Sequence, residues 1–232
     1  MQLKEVFPGY STYVDDSASM LYRKAGATHV WAGVDSPDAV VAICQSDGFA
    51  ATNYRITSGM KKCGASPGAD MKSGGSDGVF TRLGTKTDMS YAMSFLGDDY
   101  RVIISPDVLN RTDWYAHRGD SFGAARTTDA RWQKRLGSMD FIKSETGSKY
   151  SNNSFTSDNE ILFRHGISTD TFVGISCQDE RRRKALLDKF SAAGITEFNG
   201  VPIEDFVTVT TKVEEDSMRG ILGLDFYNQN PF

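Results

Sequence analysis

Cysteine is scarce. Cys44, Cys63 and Cys177 are the only three in 232 residues, an odd number with no Cys-x-x-Cys spacing. That excludes a disulfide framework. The apolar contexts of Cys44 and Cys177 mark them as buried structural thiols, and such usage favours a reducing compartment. Histidine is as thin: His29, His117 and His165 are solitary, so no cluster at metal-ligand spacing exists and no metal is expected. No run of about 18 apolar residues occurs, which predicts no membrane span and no membrane partner. Met1-Gln2-Leu3-Lys4-Glu5 lacks the apolar centre of a signal peptide, so the expected location is the cytoplasm, or a target-cell cytoplasm after delivery. A large excess of one charge is also missing. The formal net charge of −4 provides no global drive toward nucleic acid or anionic lipid, so such a partner needs a local basic patch. Gly74-Gly75-Ser76-Asp77-Gly78 precedes a strand and lacks the Gly-Lys-Ser/Thr of a triphosphate loop, and no Gly-x-Ser-x-Gly elbow is found.

What is present is ordinary globular composition, 39% apolar and 24% charged, in a chain long enough to bury a core without staples. Residues 1–28 lack a clear period and read as a leading segment, with a short helix near Ser17–Lys24. Residues 29–232 read as one domain. A strand at His29-Val30-Trp31 precedes Ser36-Pro37, an N-cap followed by proline at the first helical position, and Gly48 is expected to end that helix. Residues 58–78 and 143–158 are long polar loops, of the kind that carries function. Val79-Phe80-Thr81-Arg82-Leu83 alternates as a strand, and Tyr100-Arg101-Val102-Ile103-Ile104 reads as a more deeply buried one. Glu160-Ile161-Leu162-Phe163 is a strand, with Thr171–Ile175 as its expected antiparallel neighbour. Asp179–Ala193 is an amphipathic helix with Ala185, Leu186, Leu187 and Phe190 inward and Gly194 as its stop.

A glutamate at the mouth of a rigid strand, after a flexible loop, can face a substrate while the loop samples a second one. Glu160 holds that position. Alone, such a residue is more often a solvated surface group. Three segments in the same order accompany it and span roughly residues 29–176. Val30-Trp31-Ala32-Gly33-Val34, then a helix and Gly48-Phe49, is similar to the opening strand of the ADP-ribosyltransferase superfamily, the bacterial toxin and poly(ADP-ribose) polymerase type. Gly78-Val79-Phe80-Thr81 followed by Ser90-Tyr91 is similar to its second strand and the helix after it. Asn159-Glu160-Ile161-Leu162-Phe163 resembles the strand that carries its catalytic glutamate.

The resemblance implies an α+β fold, a split and bent antiparallel β-sheet pair with peripheral helices. It also implies transfer of ADP-ribose from NAD, as substrate, to a macromolecular acceptor: a glycosyltransferase-class reaction by a toxin or effector domain. Glu160 would then be catalytic, with Asp158 two residues earlier influencing the acceptor or serving as a turn residue. Ala32, Gly33, Phe80, Thr81 and Tyr91 would line the NAD pocket, with Phe80 stacking on nicotinamide or packing in the core, and Thr81 supplying the hydroxyl of the arginine-type branch. The acceptor would be protein or nucleic acid, and an immunity protein or antitoxin would be the implied partner.

Position 32 departs from the pattern, because the family places a ribose-gripping His or Arg there. Three readings follow: an inactivated variant, a degenerate NAD-site fold, or a shifted alignment in which His29 serves instead. On a strand His29 and Trp31 share one face and Ala32 takes the other, so if Ala32 faces the site His29 points away from it. A non-catalytic module binding NAD, ADP-ribose or a partner is therefore an alternative, and an RNA 2′-phosphotransferase-like enzyme is another. In Asn110–Asp120, Arg111 or Arg118 is a candidate pyrophosphate or partner clamp, against a packed loop closing the sheet. Arg126, Arg131, Lys134 and Arg135 around Trp132 form a basic stretch that keeps nucleic acid open, against a solvated helix face.

Overall fold

The computed structural model describes residues 27–57, 76–85, 99–111, 113–117, 136–137 and 160–209. The expected helix near Ser17–Lys24, the polar stretches 58–75 and 143–158, Cys63 and the basic segment around Trp132 lie outside them.

The first strand, β1 (Ala27–Val34), leads into α1 (Pro37–Gln45). The helix starts where the Ser-Pro pair predicts, with the Ala39 N–H donating to Ser36 Oγ at 3.2 Å. Its end differs by one residue from expectation. Asp47 takes the left-handed conformation (φ 70°), and Gly48 (φ 131°) opens β2 (Gly48–Ala50). Glycine is required there, since a Cβ would sit 2.0 Å from the Ile167 carbonyl oxygen. A short α2 (Thr52–Thr57) follows. The next strands are β3 (Gly78–Thr85), β4 (Tyr100–Ile104), β5 (Trp114–His117), β6 (Leu136–Gly137), β7 (Glu160–Arg164), β8 (Gly166–Ser168) and β9 (Phe172–Cys177). Then come α3 (Glu180–Ala192), a hairpin of β10 (Glu197–Phe198) and β11 (Val201–Pro202), α4 (Ile203–Phe206) and β12 (Val207–Val209).

The class is α+β, with a central, mainly antiparallel sheet and few helices. Eight strands form one sheet in the order β12-β9-β4-β1-β3-β7-β5-β6, and β2-β8 and β10-β11 make two small ones. Among these, only β12 and β9 run parallel, joined through α3. β9 is not the neighbour of β7 that its sequence position predicts; it pairs with β4 and β12. The reason is local. His165 turns the chain through a left-handed conformation (φ 69°), and β8 pairs with β2 instead of folding back on β7. The chain then re-enters the sheet beyond β4.

Strand alternation sorts the sheet into two faces. Val30, Ala32 and Val34 of β1, Tyr100, Val102 and Ile104 of β4, Ile161 and Phe163 of β7, and Ile175 and Cys177 of β9 form the core. They pack with Val40, Val41, Ile43 and Cys44 of α1 and Leu186 and Phe190 of α3. Each large side chain buried there stabilises the fold by about 1.5–3 kcal/mol. α3 begins at its Asp179 cap, whose Oδ1 accepts from the Arg182 N–H at 2.8 Å, and Lys189 reaches Asp38 of α1 at 2.8 Å. The second face is mixed: Ile103 and Leu162 are fully buried on it beside the buried Trp31, Arg82, Arg101 and Glu160, while Gly33 and Arg164 are exposed.

Candidate functional site

Register places four residues side by side on adjacent strands. Ile103 of β4 pairs with Trp31 of β1, Trp31 with Arg82 of β3, and Arg82 with Glu160 of β7. All belong to the face opposite the apolar core, and all are buried: Trp31 is 6% exposed, Arg82 8% and Glu160 7%. At the spacing of neighbouring strands, Trp31 and Glu160 stand roughly 10 Å apart across this rung, with Arg82 between them. A guanidinium nitrogen of Arg82 lies 3.8 Å from Glu160 Oε1.

One step along the strands, Arg101 of β4 pairs with Gly33 of β1 and with Ser176 of β9. The Arg101 guanidinium carbon lies 3.9 Å from the centre of the Trp31 ring. That stacking holds a cation over an aromatic face away from water, where the attraction is strongest. His29, fully buried on the same face as Trp31, has its imidazole pKa pushed down to about 3, first by desolvation and second by the positive charge of Arg101. It is therefore neutral. The described charges near the rung are two guanidiniums and one carboxylate. Toward the far end of β7, Arg164 pairs with Asp77 at 3.6 Å, and Tyr115 donates its hydroxyl to Asp77 at 3.0 Å.

Of the residues singled out from sequence, Glu160, Gly33 and Phe80 belong to this face. Phe80, partly exposed, precedes Arg82 by two positions and stands opposite Leu162. Three others do not meet Glu160. Ala32 is packed in the apolar core (3% exposed), because a strand turns successive residues to opposite sides. It is His29 and Trp31 that share the Glu160 face, the reverse of the orientation inferred from an alignment on Ala32. Thr81 also faces away, and its hydroxyl donates to the Ile161 carbonyl at 2.7 Å. Arg111 is no exposed clamp. Buried beneath β7, it donates to both carboxylate oxygens of Asp113 (2.7 and 2.5 Å) and to the carbonyls of Gly166 (2.7 Å) and Arg164 (3.1 Å). Tyr91, Asp158 and Arg118 lie outside the described residues.

Sequence reasoning passed over Trp31, Arg82 and Arg101. The signal for them is a single arginine within each of two strands otherwise rich in buried residues, Val79–Leu83 and Tyr100–Ile104. An arginine there must either reach solvent or be buried with partners. Chemically, a fixed carboxylate can stabilise a developing cation, and buried guanidiniums attract phosphate oxygens. Among the described residues no group of three or more His, Cys, Asp and Glu side chains is arranged to hold a metal, and no helix is long and apolar enough to cross a membrane.

No protein-family model matches the chain, and no curated protein matches it. Among solved structures it is similar to Thermosipho africanus DarTG in complex with ADP-ribose, at 12% identity and a TM-score of 0.47. The match covers 78% of this chain and 49% of the other, so the chain spans about half the length of that protein.

Proposed function

We propose that the chain transfers ADP-ribose from NAD to a macromolecular acceptor, with Glu160 as the catalytic carboxylate. The observation that carries this reading is the placement of Glu160: buried at the start of a central strand, on the second face of the sheet, beside Arg82 and on one rung with Trp31. The order of the three sequence segments, the third of which contains Glu160, also supports it.

In the proposed reaction the bond between nicotinamide and ribose breaks, and nicotinamide leaves with the bonding electron pair as a neutral base. Positive charge develops on the ribose as an oxocarbenium-like centre, as in glycoside cleavage. The Glu160 carboxylate stabilises that charge, and does so more strongly because it is shielded from water. An acceptor nucleophile then bonds to the ribose carbon and gives up its proton. The Arg101 charge, fixed against Trp31, suits the diphosphate of the dinucleotide, and the partly exposed Phe80 ring suits an aromatic base. NAD is consumed as substrate, and these steps require no metal.

The competing reading, a binding module without turnover, drew its support from Ala32 in place of a ribose-gripping residue. Ala32 is packed in the apolar core on the side opposite Glu160, so with Glu160 as the catalytic group it would not line the ribose site. Net acidity favours a protein acceptor, and an antitoxin or immunity protein is the partner that a toxin reading implies.

The test is transfer from NAD labelled in its adenine half. A lysate incubated with the chain is separated into protein, DNA and RNA fractions. Label retained covalently in one fraction, and absent with Glu160→Gln, is the expected result. Label in none of them, with intact NAD recovered, would reject the reading.

A further inference from the structure

We infer that Arg82 is a positioning residue, whose guanidinium holds the Glu160 carboxylate in one orientation on the second face of the sheet. The inference rests on Glu160 being the catalytic group.

Four observations lead to it. Arg82 and Glu160 are directly opposed in the β3–β7 ladder, where side chains on one face come closest. Their charged groups approach to 3.8 Å with only 10% of either side chain exposed, so water screens the pair poorly. Arg82 stands opposite Trp31 on its other side in the same rung, and both side chains are buried. The register itself is pinned one residue away by the hydroxyl of Thr81 on the Ile161 carbonyl, which prevents a slip that would part the pair. A glutamate has three side-chain torsions, and its carboxylate acts on a reacting centre only when those are restricted. Arg82 of β3 is placed to supply that restriction from one side, while His117 of β5 stands opposite Glu160 in the register on the other.

Direct contact of Arg82 with the dinucleotide would have a different signature. A group that only binds substrate raises KM, whereas one that aims a catalytic carboxylate lowers kcat and leaves KM.

The experiment measures nicotinamide release by wild type, Arg82→Gln, Arg82→Lys, Glu160→Gln and the Arg82→Gln/Glu160→Gln double variant. Arg82→Gln is expected to lower kcat at least about tenfold with KM within roughly threefold. Arg82→Lys keeps the charge but loses the planar fork, so its kcat falls between the two with KM unchanged. If Arg82→Gln fails to fold, the Lys variant carries the same test. The double variant should be no slower than Glu160→Gln alone, because Arg82 acts through that carboxylate. A raised KM with wild-type kcat, wild-type kinetics in both Arg82 variants, or losses that multiply in the double variant would each overturn the inference. Failure of the underlying reading looks different: wild type releases no nicotinamide, or Glu160→Gln releases it as fast as wild type.

Discussion

Arg82 and Glu160 face each other across β3 and β7 with their charged groups 3.8 Å apart, and neither has more than 10% of its side chain exposed. Burying two charges costs several kcal/mol per ion before their attraction offsets it. A hydrophobic pair at these positions would hold the sheet at least as well. The pair is therefore weak evidence of stability design. The same face carries Trp31 under Arg101 and a neutral His29.

Restoring a family-like residue at position 32 should fail. Ala32→Arg and Ala32→His force a large polar group into a packed core, and each is expected to cost about 3 kcal/mol or more in urea unfolding, with no gain in NAD turnover. A stable Ala32→Arg variant with raised turnover would show that position 32 lines the site.

Arg111→Met should act on the fold. It leaves Asp113 and the carbonyls of Gly166 and Arg164 without the guanidinium that joins them. An expected loss of about 3 kcal/mol follows from breaking a buried charged network. At a temperature where the variant remains folded, KM for NAD should match wild type. An unchanged unfolding midpoint together with a raised KM would make Arg111 a ligand-binding residue after all.

His29 makes stability depend on pH. Its pKa is lowered from 6.5 to about 3 on folding. Between those values the unfolded chain binds a proton that the folded chain does not, so stability falls as pH falls, by about 1.4 kcal/mol per unit. Above the upper value the group contributes nothing to the slope. Wild type should therefore lose about 2 kcal/mol relative to His29→Asn between pH 7 and pH 5, as read from urea unfolding. Parallel curves for the two proteins would mean that the imidazole is protonated in the fold.

Cys44 and Cys177 should resist alkylation. Burial pushes both thiols up to about 12, so almost no thiolate exists at pH 8 and little of either sulfur is accessible. Mass spectrometry after iodoacetamide should find both unmodified in native protein and both modified in urea. Rapid native labelling of either would indicate local opening of the core.

Much of the scaffold was legible because its signals are local. The Ser36-Pro37 start of α1, the alternation of Val79–Leu83, the apolar run of Tyr100–Ile104 and the Asp179 cap of α3 all depend on a few neighbouring residues. The partner of β9 was not legible, since it is decided by the turn at His165 and the three-residue β2–β8 pair, which carry almost no period. The site was half legible. Glu160 was singled out by the order of three segments, its place at a strand mouth being too common to do so, but Arg82 and Arg101 were not, because a single basic residue in a strand does not reveal whether it meets solvent or a buried carboxylate. On β1, Ala32 lies on the face opposite Glu160 and Trp31 on the same face, since successive strand residues alternate.

The most direct test of the account is nicotinamide release from NAD by wild type and by Glu160→Gln, with the fold of both checked by unfolding. The account predicts release by wild type and a loss of about a hundredfold or more in the variant, the scale expected for removing a charge that stabilises a transition state. Equal release by the two folded proteins would contradict it.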